Sequence, residues 1–226
     1  MTYAHASDVG ACLGVVEGPA AAADVWYAWV GDHARDVDRF TREFLSSDEA
    51  ARRAHYRSRA AAERYVVTRS LVRIVLGEHL GVGPRALRVS RTDTGKPIVA
   101  EGINFNVTHS GDLVLLAVCE RRPVGVDVER RREVPRVREL MLRWFSESER
   151  QECAHLSTLG LTDSEAFLRV WSLKEARLKA LGVGISGAAN AALDTVDVQS
   201  LASLLDTLPR SGGDHAQGYV GALAFA

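Results

Sequence analysis

The chain has 226 residues, enough for one large domain or for two smaller halves that share a core. Its 46% hydrophobic and 25% charged content are ordinary for a soluble globular protein. A formal net charge of -1 excludes general nucleic-acid binding, which needs a strong basic excess.

Along the chain, Asp24 to Val30 is rich in aromatic and β-branched residues and ends at Gly31-Asp32, so it reads as a strand. Ser46 followed by Glu49 is a capping box that opens a helix running through Arg52 and Arg57. A second helix covers Ala61 to Leu80, with Tyr65, Val66, Leu71, Val72, Val75 and Leu76 at helical spacing and Gly81 as its stop. From Asp48 to Arg73, seven arginines stand against three acidic residues. Leu87 to Ser90, Asp112 to Cys119 and Val124 to Glu129 read as strands, the last after a turn at Arg121-Arg122-Pro123. Ser146 with Glu149, and Thr162 with Glu165, are two more capping boxes; the latter opens a helix that ends at Gly182. Residues 188–213 are the least legible stretch, with a short helix around Leu201 to Leu205, and Gly218 to Ala226 reads as a final strand. Strands and helices mix without a strict βαβ rhythm, which favours an α+β fold. No internal repeat is visible in the letters.

Cys12, Cys119 and Cys153 have no paired spacing and suit a reducing compartment. The N-terminus has no basic-then-apolar signal, and no apolar run approaches membrane-spanning length. The expectation is a soluble, cytoplasmic protein that engages neither nucleic acid nor membrane.

Three stretches carry the chemistry: Phe105-Asn106-Val107-Thr108-His109-Ser110, Gly125-Val126-Asp127-Val128-Glu129, and Trp171 to Lys179. On a strand, Asp127 and Glu129 project from one face while Val126 and Val128 make the other face apolar. On a helix, Glu175 and Lys179 share a stripe with Trp171 one turn earlier. Two carboxylates about 4 Å apart repel by roughly 4 kcal/mol at an effective dielectric near 20, so a fold keeps them together more readily around a cation. Strand carboxylates, a helix carboxylate and a nearby lysine suit a hard divalent cation and phosphate chemistry. Each piece also has a plainer reading. Asp-x-Glu is commonly a solvated strand face, Glu175 and Lys179 make an ordinary i,i+4 ion pair, and His109 alone is commonly a core histidine. A Ser-His-Asp hydrolase built on 109, 110 and 112 is excluded, because adjacent strand residues point to opposite faces.

Read in order, Gly95-Lys96-Pro97, Phe105-Asn106-x-x-His109-Ser110, Gly125-x-Asp127-x-Glu129 and Trp171-x-x-Lys174-Glu175-x-x-x-Lys179 resemble the 4'-phosphopantetheinyl transferases, over roughly Ser46 to Gly184. The chain length resembles their larger, monomeric, surfactin-synthetase-activating branch; Thr108 stands where that family usually has Ser. The resemblance implies two similar α/β halves, 1–120 and 121–226, related by a pseudo-twofold axis with the site between them. It implies magnesium, with manganese able to substitute, on Asp127, Glu129 and Glu175. The serine proton then goes to Glu175, directly or through a metal-bound water, and Lys179 and His109 stabilise the leaving diphosphate. It places Lys174 and Lys179 along the pyrophosphate of coenzyme A, Thr108 and His109 on its phosphates, and Thr94, Gly95, Lys96 and Pro97 at its adenine end. Arg52 and Arg64 fall near its 3'-phosphate, where a planar guanidinium fork suits phosphate oxygens.

The implied reaction moves 4'-phosphopantetheine onto a serine of an apo acyl or peptidyl carrier protein, for polyketide, nonribosomal-peptide or siderophore assembly. Carrier domains are acidic helical bundles, so the arginines from Arg121 to Arg138, with Met141, Leu142, Trp144 and Phe145, are the expected docking surface. Two other classes fit part of the pattern: a non-catalytic coenzyme A or carrier-binding module, and a magnesium-dependent pyrophosphate hydrolase.

Overall fold

Every residue of Leu113–Cys119 is buried, and this strand shows why the chain folds into layers. In the computed structural model, which describes residues 6–18, 21–100, 102–185, 193–208 and 218–226, it is an interior strand of a four-stranded antiparallel sheet. The sheet runs β1 (Ala11–Glu17), β2 (Ala22–Trp29), β6 (Leu113–Cys119), β5 (Asn104–Ser110). Between β2 and β5 lie the helices α1 (Val37–Glu43), α2 (Ser47–Arg53) and α3 (Arg59–Leu80) and a small hairpin, β3 (Ser90–Arg91) with β4 (Pro97–Ile98). Side chains alternate across a strand. Val114, Leu116 and Val118 therefore pack with Val67, Leu71 and Val75 of α3, while Leu113, Leu115 and Ala117 pack against a second sheet. Each fully buried Val or Leu contributes roughly 1.5–3 kcal/mol.

The chain crosses to that second sheet through residues 120–123. Its order is β7 (Val124–Arg130), β9 (Tyr219–Phe225), β8 (Asp197–Ser200), again antiparallel. The even residues Val124, Val126 and Val128 face the first sheet with Leu223 and Phe225. On the outer face, Ala176 and Ala180 of α6 (Asp163–Leu181) pack against Ala222 and Ala224. Helices α4 (Val137–Trp144) and α5 (Glu147–Thr158) precede α6, and α7 (Ala202–Leu205) links β8 to β9. The result is α+β in four layers: α3, sheet, sheet, α6.

The two halves repeat one plan, and the structure shows which short stretches of the sequence repeat with it. Phe44-Leu45-Ser46-x-x-Glu49 and Trp144-Phe145-Ser146-x-x-Glu149 both form complete capping boxes ahead of a long helix. In each box the glutamate also reaches a cation on that helix: Glu49 pairs with Arg69 and Arg73, and Glu149 with Lys174. Both long helices end in Leu-Gly-Val-Gly, with Gly81 (φ 66°) and Gly182 (φ 72°) left-handed. The next valine's N–H donates back to the carbonyl of Gly77 or Leu178, closing the last turn.

Several expectations need correction. The helix expected to run through Arg57 stops at Arg53, because Ser58 recaps the chain and starts α3 afresh. Leu87 to Ser90 is not a strand; the Leu87 carbonyl accepts from Arg73 instead, and only Ser90–Arg91 pairs. Strand β1 escaped detection because its register shifts between Cys12 and Gly14 (φ 146°), which breaks the alternation. Of residues 188–213, 188–192 and 209–213 lie outside the described residues, and 193–208 supply β8 and the expected short helix.

Candidate active site

Strands β5 and β7 are edge strands, and the site forms where they face one another. Backbone N–H groups on the free edge of β7 have no strand partner, so two side chains of β5, four residues apart, supply acceptors. Asn106 Oδ1 accepts from Val126 N (2.9 Å) and Ser110 Oγ from Arg130 N (3.0 Å). Between them Thr108 donates to Asp127 Oδ1 (3.2 Å), and the Ser110 hydroxyl donates to Glu129 Oε2 (3.0 Å). Asn106 and Ser110 thus hold the acidic strand in place, a role that strand alternation in Asn-x-Thr-x-Ser could have signalled.

Gly125 sets the depth of the site. A Cβ there would run into the Ala176 carbonyl and the Ala180 amide, so only glycine lets β7 lie directly on the α6 backbone. That approach brings Lys179 Nζ to 2.5 Å from Asp127 Oδ1 and 3.3 Å from Thr108 Oγ1, with Glu175 Oε2 at 3.9 Å. Burial pushes the Asp127 carboxyl above the usual carboxylate range, against the pull of Lys179. Burial likewise raises Glu129, and the Asp127 charge adds to it. Glu175 is raised by burial, opposed by Lys179 and reinforced by Asp127. Glu129 and Glu175 thus both feel the charge of Asp127, and all three acids feel the Lys179 ammonium. The second oxygen of Asp127, Oδ2, is buried without a hydrogen-bond partner among the described residues.

On the other face of β5, His109 is held below the ordinary imidazole range by partial burial and then by the positive charge of Arg64, with a smaller push from Lys179. Thr108, Lys179, Asp127, Glu129 and Glu175 thus gather from three elements, and Arg64 of α3 with His109 lies across β5 from them, near enough for Lys179 to bear on the imidazole. Arg52 sits apart, in a cleft of about 190 Å³ shared with Tyr65, Arg91 and Pro97, its guanidinium 5.9 Å from the Tyr65 ring centre. Thr94 and Gly95 form the hairpin turn beside it, Thr94 Oγ1 bonding Thr92 Oγ1 (2.8 Å) and Gly95 at φ 86°.

Two expected ligand contacts do not follow from the geometry. Lys174 is turned away from the carboxylates: its side chain is 8% exposed and its ammonium pairs with Glu149 at 2.8 Å. One residue is about 100° around a helix, so Lys174 and Glu175 cannot share a face. Lys96 also spends its ammonium within the protein, on the carbonyls of Val124, Lys179 and Ala180. As the side chains stand, no three Asp, Glu, His or Cys groups among the described residues enclose one point. The carboxylate set nevertheless suits a hard cation, because Asp127 Oδ2 lacks a donor and all three acids resist ionising without added positive charge. Among the described residues, no helix is long and apolar enough to cross a membrane.

Comparison with known proteins agrees with this arrangement. The profile of the 4'-phosphopantetheinyl transferase superfamily matches residues 123–220, and that of the 4'-phosphopantetheinyl transferase N-terminal region matches residues 34–121. A 4'-phosphopantetheinyl transferase of Nostoc is 35% identical over 147 residues, covering 63% of this chain and 61% of its own. A phosphopantetheinyl transferase of Thraustochytrium is 31% identical over 204 residues, covering 83% and 70%. The human L-aminoadipate-semialdehyde dehydrogenase-phosphopantetheinyl transferase is 30% identical over 136 residues, covering 55% and 44%. The chain thus spans from under half to about 70% of the length of these relatives. The boundary between the two matched regions falls at the crossing from β6 to β7, beside the cluster of carboxylates, and on this evidence the chain belongs to the 4'-phosphopantetheinyl transferase superfamily.

Proposed function

We propose that this protein transfers the 4'-phosphopantetheine arm of coenzyme A to a serine of an apo acyl or peptidyl carrier protein, releasing 3',5'-ADP. The observation that carries the reading is the convergence of Asp127, Glu129, Glu175 and Lys179 with Thr108 at the seam between the halves, with His109 and Arg64 across β5 from them. Acidic and basic groups in one cluster suit a diphosphate and its counter-cation together. Asp127, Glu129 and Glu175 are the residues to hold magnesium or manganese. Bound there, the cation supplies neutralisation of the charge that develops on the diphosphate.

The serine oxygen attacks the phosphorus next to pantetheine, its bond to the ADP-side bridging oxygen breaks, and Glu175 takes the serine proton. Lys179 and Thr108 face the diphosphate; on the other side of β5 Arg64 extends the positive field, and His109, held below its ordinary range, offers a ring N–H rather than a charge. Such chemistry relies on positioning and charge rather than on covalent help. In this reading Arg52, with Pro97 and the turn at Thr94 and Gly95, serves the nucleotide end of coenzyme A.

The docking surface for the carrier is the basic segment ahead of α4 together with that helix. Arg132, Arg136, Arg138 and Arg143 are exposed, and Leu142 is 72% exposed. Phe145 drops out of the expected set, because it is buried in a stack with Phe167 and Trp171.

The test is intact-mass spectrometry of a panel of apo carriers incubated with the protein, coenzyme A and magnesium, with and without EDTA. The expected result is a gain of one phosphopantetheine that EDTA abolishes. Asp127→Ala and Glu175→Ala should each lower kcat at least about a hundredfold while circular dichroism stays unchanged. Coenzyme A binding with no transfer to any carrier would instead establish a non-catalytic binding module.

A further inference from the structure

The ammonium of Lys96 lies among three backbone carbonyls of the other half. It donates to Lys179 O (2.7 Å), Ala180 O (3.2 Å) and Val124 O (3.3 Å), which matches the three protons of an ammonium group. Two of these oxygens belong to the last turn of α6, where the helix dipole is negative; the Lys179 carbonyl also accepts from the capping Gly182 N–H (3.2 Å). The third belongs to the first residue of β7. Its neighbour, Gly125, is the residue that packs on the same helical turn. The Lys96 stem passes next to Gly182, its Cδ 3.5 Å from where a Cβ would sit there. Lys96 itself comes from the β3–β4 hairpin of the first half, where its backbone is fixed by Thr92: Lys96 N donates to Thr92 Oγ1 (3.1 Å) and Lys96 O accepts from Thr92 N (2.9 Å).

We infer that Lys96 is a positioning residue, a strap from the first half that clamps the end of α6 onto the start of β7 and so fixes where Lys179 stands relative to Asp127. The acceptor at 2.7 Å is the carbonyl of Lys179 itself, so the strap acts on the residue that carries the site's ammonium. Burial keeps the Lys96 amine below the ordinary lysine range, in keeping with a group enclosed by protein rather than offered to a ligand. Removing it takes one donor from each of three carbonyls, leaving Lys179 O with only the Gly182 N–H, and frees the last turn of α6 to fray. Lys179 would then lose its fixed approach to Asp127 and Thr108 while the coenzyme-facing turn at Thr94 and Gly95 keeps its own hydrogen bonds.

The inference rests on the proposed transfer reaction only in its kinetic part. Hydrogen exchange read by mass spectrometry on ligand-free protein tests the clamp directly. In Lys96→Met, amides of residues 178–185 should exchange at least about tenfold faster, with α3 unchanged. With coenzyme A and a carrier, kcat should fall about tenfold while KM for coenzyme A stays within about twofold. Lys96→Gln, which retains two N–H donors, should lie between wild type and Met in both readouts, and it serves alone if the Met variant fails to fold. A raised KM for coenzyme A with unchanged exchange would overturn the inference in favour of direct ligand contact. A lowered melting temperature with unchanged kcat, KM and exchange would reduce Lys96 to a stabilising contact. Wild-type protein that transfers nothing would count against the proposed function and leave the exchange result standing.

Discussion

Lys174 and Lys179 show how two lysines five residues apart on one helix come to opposite uses. Lys174 is enclosed with Glu149 and lies 5.9 Å from the Phe145 ring centre, so its charge is spent on the fold. Breaking a buried pair strands the remaining charge, which costs about 3–5 kcal/mol. Lys174→Ala should therefore lower stability by about that amount in urea melts, while kcat at low temperature stays within about threefold of wild type if the lysine has no ligand contact. The carboxylates run the other way. Asp127, Glu129 and Glu175 bind protons more tightly folded than unfolded. Their contribution to stability is thus present below the unfolded values and is lost as pH rises through the raised folded ones, so at pH 7 they cost stability unless a cation answers them. In EDTA at pH 7, Glu129→Gln should hold or raise Tm, by up to about 2–4 °C for about 1 kcal/mol in a chain of this size. Magnesium should raise the Tm of wild type well above that of the variant; an equal rise in both would remove Glu129 from the cation site.

At the scale of elements, the contact between β7 and α6 decides whether a site exists. The strand supplies Asp127 and Glu129 and the helix supplies Glu175 and Lys179, but they meet only because Gly125 has no side chain. Gly125→Ala must push strand and helix apart against backbone atoms, which overpacking data put at about 1–3 kcal/mol or more. The expected outcome is a folded but weaker protein whose kcat falls at least about a hundredfold, since displacement near 1 Å at a reacting centre is that costly. Thermal melts beside single-turnover kinetics check both parts. Near-normal turnover would mean the strand and helix can separate without consequence. The capping boxes at Ser46, Ser146 and Thr162 fix where α2, α5 and α6 begin, and two of them bind a cation of the long helix as well.

At the scale of the molecule, two sheets pack face to face with a long helix outside each, and the polar seam lies where their edge strands meet. The carrier in the proposed reaction must bring its serine to that seam, and α4 packs on α6, the helix that carries Glu175 and Lys179, with Arg143 stacked 4.8 Å over Trp144 and Leu142 pointing to solvent. Leu142→Asp should raise KM for the carrier about tenfold, reversing an apolar contact and opposing an acidic partner, while KM for coenzyme A is unchanged. Equal changes in both constants would place the docking surface elsewhere.

Much of this was legible before any coordinates. Capping boxes, the glycine stops at Gly81 and Gly182, and the alternation of Val126 and Val128 against Asp127 and Glu129 are local rules, so the letters alone located α5, α6 and β7 closely. The same rules grouped Glu175 with Lys179, because residues four apart on a helix share a face. Strand β1 and helices α1 and α4 were not legible, since a bulge, a short length and a mixed charge pattern hide the periodicity that marks an element. That Lys96 and Lys174, expected at a ligand, turn to contacts within the protein was hidden from the letters for a different reason. A lysine ammonium is free or spent according to what the rest of the chain puts beside it, and for these two that meant the end of α6 and Glu149 of α5. Local periodicity determined which residues lie on one face of one element; only long-range packing decided which faces meet, because the contacts between β5, β7 and α6 join residues 19 to 71 positions apart.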